Sequence, residues 1–429
     1  MLGMAEGRTN KLTVPDRPAL YGLAGCCLFI FAVLFAGPAL RGAEANHATP
    51  KPAIVIPVEP LGYGPPGELY LTMRYSQVSL DFVDAAHLLF TFQKKGLLRH
   101  TADELPDDDD QLIHAVVLEL PDGKQTASAD WRMHDRQRYL WPLGAEAFLV
   151  RQRDSLFVTD SSLALRPYGG FSGRLVGVQV SPGGELLVAE TEEPDKQEIA
   201  PDKQAGNTPD KVGTPSRPAN SKPFLLQVFR FKDRVLIARS RVRRPTNLAM
   251  NSNGFVESLE GKPNQWTLNL TPLTEGASAA SAPFAELSSA CQPILTFISA
   301  DTILAIRCTP SYEHLAAVLT LDGKMLWEHK WQSKRVWPMM EHSRDGSRFA
   351  EGILTGPGGA ADPRTLGSND ISGQRVDVFD TASGKLLLSV PASPVYDAGQ
   401  NFALSADGRR FVILHGGALE IYDLPVEGK

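Results

Sequence analysis

Two of the four cysteines in this chain could form a disulfide. Cys291 and Cys308 remain once the two cysteines inside an N-terminal apolar run are set aside. If residues 300–301 form a two-residue turn, Cys308 pairs with Pro293 on the neighbouring strand. Pro293 is two residues from Cys291, so the side chains of Cys291 and Cys308 lie on the same face of the sheet. The pair is therefore a candidate disulfide in an oxidising compartment. Two buried free thiols are the favoured alternative.

Arginines at alternating positions form a second candidate site. Arg239, Arg241 and Arg243 lie in the most basic segment of the chain. On a strand they would share one face, since side chains alternate between the two faces of a sheet. Such a stripe could bind an anionic polymer or a lipid head group. The favoured alternative is an exposed outer strand whose charges prevent edge-to-edge pairing.

Asp107–Asp110 is a run of four carboxylates and therefore a candidate calcium site. The run lacks the alternating ligand spacing and the glycine of a calcium-binding loop. Like charges in a row are instead typical of a solvated segment. The sequence therefore predicts a hydrated hairpin tip here, and no metal site.

Catalytic motifs are sparse. The nine histidines include no pair with zinc-ligand spacing, and the chain has no G-x-S-x-G, P-loop or dinucleotide-binding motif. His134-Asp135 and His314 stand apart from any recognisable nucleophile. We predict no catalytic, cofactor-binding or metal-binding residue from these patterns.

Short hairpins are the elements that must position all of these residues. In Val376–Val390, apolar residues alternate on both sides of a turn that ends at Gly384. Ala403–Leu414 repeats the arrangement around Asp407-Gly408, where Asp can bond its own backbone and Gly tolerates a left-handed conformation. Strands this short need neighbouring sheets to bury their faces, so the pattern predicts an array of similar units.

The two segments resemble the repeats of WD40-like and YVTN-type β-propellers, with "V-x-V-x-D-x-x-x-G-K-x-L" from Val376 and "S-x-D-G" from Ser405. The resemblance implies an all-β, seven-bladed propeller, and at roughly 40–50 residues per blade the length also allows eight blades. Blade two is predicted to include a strand at Ser162–Leu165, and blade four is predicted to span Leu248–Leu270. The last blade is one strand short, and Leu69–Tyr75 is predicted to complete it. A propeller also assembles sites from distant loops around its central channel, where local motifs do not reveal them.

The N-terminus predicts export. Basic residues precede an apolar run at 19–40, and an A-x-A pattern ends at Ala45. Residues 1–45 are predicted to be a signal peptide or, if uncleaved, an apolar helix that anchors the chain in the inner membrane. Residues 46–67 are predicted to be a Pro-rich linker and 68–429 the propeller domain. A low-complexity insert at 193–223 has almost no large apolar side chains and is predicted to be disordered.

Composition agrees with an exported globular domain. Hydrophobic residues make up 43% and charged residues 21%, and the net charge of −6 is too small to imply a nucleic-acid partner. The predicted function is a non-catalytic binding or scaffold module in the cell envelope, periplasmic or extracellular, that binds a protein or an envelope polymer without a cofactor. The alternative is a propeller hydrolase or lyase that acts on a carbohydrate or a peptide at the central channel.

Overall fold

Regular structure in the described part of the chain is almost entirely β-strand. The computed structural model contains one 3-10 turn at Glu59–Leu61 besides the strands. No helix among these residues is long and apolar enough to cross a membrane. The predicted N-terminal helix and the predicted disordered insert lie outside the described residues. The structure describes residues 50–65, 77–96, 101, 104–105, 108–144, 146–171, 173–192, 224–242, 248–274, 277–278, 280–311, 313–330, 339–355, 373–396 and 400–425.

The strands form seven antiparallel sheets, six of them built from consecutive strands and the seventh from the last three strands together with the first. Their bounds are β1 Ile54–Pro57, β2 Val78–Phe82, β3 His87–Gln93, β4 Gln111–Glu119, β5 Lys124–Met133, β6 Leu140–Gly144, β7 Ala147–Gln152, β8 Ser155–Thr159, β9 Arg166–Gly170, β10 Leu175–Val180, β11 Leu186–Glu192, β12 Phe224–Arg230, β13 Val235–Val242, β14 Ala249–Asn251, β15 Gly254–Lys262, β16 Gln265–Thr274, β17 Ala277–Ser278, β18 Ala282–Ser288, β19 Ile294–Phe297, β20 Thr302–Cys308, β21 His314–Thr320, β22 Met325–Lys330, β23 Met339–His342, β24 Arg348–Thr355, β25 Gly373–Asp380, β26 Leu386–Ala392, β27 Phe402–Leu404, β28 Arg410–His415 and β29 Ala418–Asp423.

These sheets are the seven blades of a propeller. Blade one is β2–β5, blade two β6–β9, blade three β10–β13, blade four β14–β18, blade five β19–β22, blade six β23–β26, and blade seven β27–β29 with β1. The first strands of several neighbouring blades contact each other, as β2 contacts β27 and β14 contacts β19. The first strands therefore surround the central channel, and the last strands lie at the rim. The predicted all-β, seven-bladed propeller is confirmed, and the eight-bladed alternative is wrong.

The ring is closed by a different strand from the one predicted. β1 pairs with β29 in antiparallel register, with Ile56 opposite Leu419. Ile56 is buried, whereas Val55 is exposed on the other face. The prediction that 46–67 is a linker throughout is therefore wrong. Its prolines suggested extended chain, but an edge strand tolerates Pro because one side of its backbone makes no ladder bonds. The predicted closing strand, Leu69–Tyr75, lies outside the described residues.

Blades two and four also differ in detail from the prediction. Ser162–Leu165, predicted as a strand, forms a turn in which the Ser162 amide donates to Asp160 (2.9 Å) and Leu163 has a positive φ of 61°. Blade two instead begins with β6 and ends with β9. Blade four continues past Leu270 to β18, which pairs with β16. In blade two, the side chain of Asp160 favours a turn where a strand was predicted. In blade four, β18 adds an outer strand beyond the predicted end.

The predicted Ser-x-Asp-Gly turns form as expected. In the turn before β28, the Ser405 hydroxyl donates to Asp407 (2.7 Å), and the Gly408 amide donates to the Ser405 carbonyl (3.0 Å). Gly408 has a φ of +63°, in the left-handed region that Gly occupies without strain. This turn fixes the register of the inner hairpin of blade seven.

Each pair of successive blades encloses its own hydrophobic cluster. The cluster between blades seven and one contains sixteen buried residues, including Ile56, Phe90 and Ile421. The cluster between blades five and six contains five, among them Leu304 and Phe349. The core is therefore a ring of inter-blade layers that are unequally filled.

Candidate functional site

A polar cavity opens in the central channel, between the first strands of the blades. One part has a volume of about 440 Å³ and is lined by residues of β6, β10, β14, β19 and β23. An adjoining part of about 190 Å³ extends to β2 and β27. Arg138, Trp141 and His342 line both parts. The channel is therefore one continuous site to which all seven blades contribute.

Three charged side chains from three blades meet in this channel. Asp81 is the fourth residue of β2 in blade one, Arg138 directly precedes blade two, and Glu341 lies on β23 of blade six. Arg138 Nη2 lies 4.0 Å from Glu341 Oε1. We call Asp81, Arg138 and Glu341 the channel triad. Closure of the ring brings together residues that are far apart in the sequence.

The arginine of the channel triad is held in place by its own strand. Arg138 Nε donates to the carbonyl of Leu140 (3.0 Å). Its guanidinium carbon lies 5.5 Å from the centre of the Trp141 ring, a cation–π distance. These contacts orient the guanidinium across the channel and reduce the entropy that binding a ligand would cost.

Asp81 has an unusual protonation equilibrium. Burial, together with the nearby negative charge of Glu341, raises the pKa of Asp81 to about 7, against the opposing effects of Arg138 and of the Ser79 hydroxyl. Ser79 Oγ donates to Asp81 Oδ2 over 3.1 Å. At neutral pH this carboxyl can therefore either donate or accept a proton.

The channel triad is suited to binding and proton transfer, and its neighbours do not supply a nucleophile. His342 Nδ1 lies 3.1 Å from the Ser343 carbonyl oxygen. Among the described lining residues, no hydroxyl or thiol is hydrogen-bonded to His342, as a nucleophile–base pair would be. The channel can therefore bind a polar group between two carboxyls and a guanidinium, or exchange a proton with it.

The two candidate disulfide residues are joined in the structure and are not the two free thiols that the sequence favoured. Cys291 and Cys308 form a disulfide at the blade four–five boundary, with their Cα atoms 5.5 Å apart. Ser289 orders this region, because its hydroxyl donates to the Cys291 carbonyl (2.6 Å) and accepts from the Cys308 amide (3.0 Å). The predicted facing of Cys308 and Pro293 is wrong by one residue. Ile294 pairs with Ile306, since the turn between β19 and β20 is longer than two residues.

The arginine stripe lies far from the channel in the fold. Arg239 and Arg241 are exposed on β13, the outermost strand of blade three, opposite Gln227 and Leu225. Arg243 lies outside the described residues. The structure thus places two of the three arginines on one face of an outer strand and does not bring them to the channel triad.

The acidic run forms an ion-pair network that joins blades one and two. Asp108 pairs with Arg153 of blade two, and Asp110 pairs with Arg132 and with His134 Nδ1, which is 2.8 Å from Oδ1. Asp109 pairs with Arg136 (2.7 Å), and Asp107 lies outside the described residues.

Asp108, Asp110 and His134 are close enough together to hold a metal ion. Arginines already balance both carboxylates, however. Burial opposes ionisation of Asp108, but hydrogen bonds from Arg153 and from the Leu105 amide outweigh it and lower its pKa. The predicted hydrated hairpin tip is therefore wrong, because the partners come from parts of the chain that a local charge run does not reveal.

Sequence reasoning missed the channel triad. The signal for Asp81 is a charged residue in the otherwise uncharged strand Val-Ser-Leu-Asp-Phe. Arg138 and Glu341 lie in polar segments that look like ordinary surface. Only the closed ring shows that the three side chains share one cavity.

No family model and no curated protein matches this chain. Solved structures do match, at low identity. One is the acylaminoacyl peptidase of Pyrococcus horikoshii, 12% identical with a TM-score of 0.46, which covers 81% of this chain and 50% of the peptidase. Another is the WD40 domain of Toxoplasma gondii coronin, 9% identical with a TM-score of 0.42, which covers 89% of each chain. This chain therefore spans about half the length of the peptidase that it matches. At these identities the likeness concerns the fold alone, in line with the predicted WD40-like resemblance.

Proposed function

We propose that this protein is an exported, non-catalytic binding module of the cell envelope that binds its partner at the central channel. The observation that carries the proposal is the meeting of Asp81, Arg138 and Glu341 in one cavity. Propellers offer a rigid ring with loops on both faces, and their sites arise where the blades converge. The partner is a protein segment or an envelope polymer that presents polar groups to the channel triad.

Two features support a location outside the cytoplasm. The first is the signal-like N-terminus, with its apolar run at 19–40. The second is the Cys291–Cys308 disulfide, a bond that persists in oxidising compartments such as the periplasm. We propose a periplasmic or extracellular protein, tethered to the inner membrane if residues 19–40 are not removed.

A hydrolase or lyase that acts on a carbohydrate or a peptide is the second candidate. It is favoured by the pKa of Asp81, about 7, beside a second carboxyl at Glu341. A carboxyl that titrates near neutral pH can act as a general acid or a general base. Binding remains the main proposal, because the described lining shows no activated nucleophile.

Affinity capture from envelope extracts tests the proposed channel site. The bait is the protein from residue 46, compared with the double variant Asp81→Asn, Glu341→Gln and with Glu257→Gln, a control change at an exposed position of β15 in blade four. We expect the bait and Glu257→Gln to retain the same partner and the channel variant to lose it. Equal capture by all three baits would contradict a channel site. Release of a cleaved form of the captured partner by the bait, but not by the channel variant, would favour the enzyme.

A further inference from the structure

A second cavity lies between blades five and six, away from the channel. It has a volume of about 520 Å³, within the range of small-molecule sites. One wall is the outer strand of blade five, and the other is the face of blade six that is turned toward it. We call this cavity the five–six groove, and its main residues are Trp327, His329, Glu351, Asp377, Phe379 and Ser389.

Hydrogen bonds between blades five and six close one side of the groove, and the side chains of the two blades leave its interior open. Trp327 Nε1 donates to the Thr381 carbonyl and His329 Nε2 to the Gly384 carbonyl, each over 2.8 Å. These bonds hold β22 to the β25–β26 turn of blade six. Beneath them, the hydrophobic cluster between these blades has five buried residues, against sixteen between blades seven and one.

Register determines what the floor of the groove presents. Glu351 pairs with Asp377 across β24 and β25, and Phe349 pairs with Phe379 two residues further along. Directly opposed residues point to the same face of the sheet, so the two carboxyls lie side by side next to aromatic rings. The Phe349 and Phe379 rings stack with centroids 5.1 Å apart, and Trp327 stacks on Phe349 at 5.8 Å.

The two carboxyls of the floor differ in their partners. Asp377 accepts hydrogen bonds from Arg375 Nε and Nη2, both 2.9 Å, and from Ser389 Oγ at 2.6 Å. Glu351 is 2% exposed, lines the groove, and has Asp377 and Arg375 as its charged neighbours. A buried carboxyl that borders a cavity can form hydrogen bonds with a ligand in that cavity.

The surroundings of Glu351 indicate which ligand group can bind it. Burial, reinforced by the neighbouring charge of Asp377 and opposed by Arg375, raises the pKa of Glu351 well above its usual value and so favours the protonated form. A protonated carboxyl offers one O–H donor and one carbonyl acceptor. Arg375 balances Asp377, Lys330 pairs with Glu313 over 2.7 Å, and the exposed Lys385 also lines the groove. On the floor itself the charges of Arg375 and Asp377 offset each other, Glu351 favours its uncharged form, and aromatic rings surround them.

We propose that the five–six groove binds an uncharged ligand with an apolar body and a carboxamide or peptide amide, which pairs with the Glu351 carboxyl through two hydrogen bonds. The amide matches because it also offers one donor and one acceptor on neighbouring atoms. An ammonium group would require Glu351 to lose its proton in a buried position. A carboxylate would lie next to Asp377 and be repelled. The apolar body fills the space beside Trp327 and Phe379.

Three probes with the same phenyl ring and different end groups test the ligand class on the full chain. They are phenylacetamide, phenylacetate and 2-phenylethylammonium, titrated at pH 7 with ligand-detected NMR. We expect phenylacetamide to bind about tenfold more tightly than either charged probe, since two hydrogen bonds to a buried group separate them. Preference for either charged probe, or no saturable binding of phenylacetamide, would overturn the proposal.

Substitutions at Glu351 test the site itself. Glu351→Gln keeps one donor and one acceptor and is expected to bind phenylacetamide as the unchanged protein does. Glu351→Met has a similar volume without these groups and is expected to bind it about tenfold more weakly. Glu257→Gln is the control, and urea midpoints check that every variant is folded. Loss of binding in Glu351→Gln, or full binding in Glu351→Met, would contradict the assignment.

Discussion

Asp81 makes the stability of the propeller depend on pH. Its pKa is about 7 in the folded protein, against 3.8 in a solvated chain, because burial and Glu341 disfavour the charged form. A carboxyl whose pKa is higher in the folded protein than in the unfolded chain stabilises the fold while it is protonated. This contribution is complete below pH 3.8, the pKa of the unfolded chain, and is lost as the pH rises toward 7, the pKa in the folded protein. Asp81→Asn, which cannot ionise, is therefore expected to gain stability relative to the unchanged protein between pH 4 and 7.

The free energy of unfolding of Asp81→Asn is expected to exceed that of the unchanged protein by about 2–4 kcal/mol at pH 8 and by close to zero at pH 4. Above pH 7 this difference should no longer change with pH. Urea unfolding at unit steps of pH measures it. Asp122→Asn, an exposed turn residue of blade one, provides the control and is expected to show no such trend. A flat difference between Asp81→Asn and the unchanged protein across this range would show that Asp81 ionises normally.

The disulfide is a second feature whose contribution can be measured residue by residue. Cys291 and Cys308 are 17 positions apart, and cross-linking a loop of that length restricts the unfolded chain by about 3 kcal/mol. Replacing both residues with Ser is expected to lower the free energy of unfolding by about that amount, and reducing the unchanged protein should lower it similarly. Thiol titration of denatured, non-reduced protein from residue 46 is expected to find no free thiol. Two free thiols would rule out the bond.

At the scale of elements, β1 closes the ring. Ile56 is 5% exposed in the core between blades seven and one, whereas Val55 on the opposite face is 53% exposed. Ile56→Ala should therefore destabilise the protein by about 2–4 kcal/mol, and Val55→Ala by less than about 0.5 kcal/mol. Chemical denaturation of the two variants measures both values. Equal effects would indicate that β1 does not contribute to closure.

The sequence could predict the elements whose specification is local. The Ser405–Gly408 turn forms from side-chain bonds within a few residues, so its type and register can be predicted from four positions. β1 could not be predicted in this way, since its ladder partner among the described strands, β29, lies more than 360 positions away. Its prolines also resemble those of a linker, and only an edge position reconciles them with a strand.

The channel site depends on the same long-range closure. Asp81 and Glu341 lie on first strands of blades one and six, which the ring brings around the channel with blade seven between them. No spacing rule in the sequence connects them. The burial of Glu351 also could not be predicted from the sequence, because it depends on the packing of blade five against blade six. The fold could thus be predicted from repeated hairpins, whereas both cavities depend on how the blades meet.

At the scale of the whole molecule, the ring is expected to tolerate loss of the insert at 193–223. β11 and β12, which flank it, pair directly, with Glu192 opposite Phe224 and Val188 opposite Val228. The ends of the insert therefore meet across one hairpin, and a two-residue Asn-Gly turn can join them in the existing register. Closing a shorter loop also costs less conformational entropy of the chain.

Replacing residues 193–223 with Asn-Gly should leave the free energy of unfolding unchanged or raise it by up to about 2 kcal/mol, because no ladder pair of blade three is lost and the shorter loop costs less entropy to close. Capture of the envelope partner should also persist, since the channel triad lies on other blades. Urea denaturation and the capture experiment above measure the two outcomes. Retained stability with lost capture would assign partner binding to the insert and remove the channel from that role. Lost stability would mean that the insert is part of the fold of blade three.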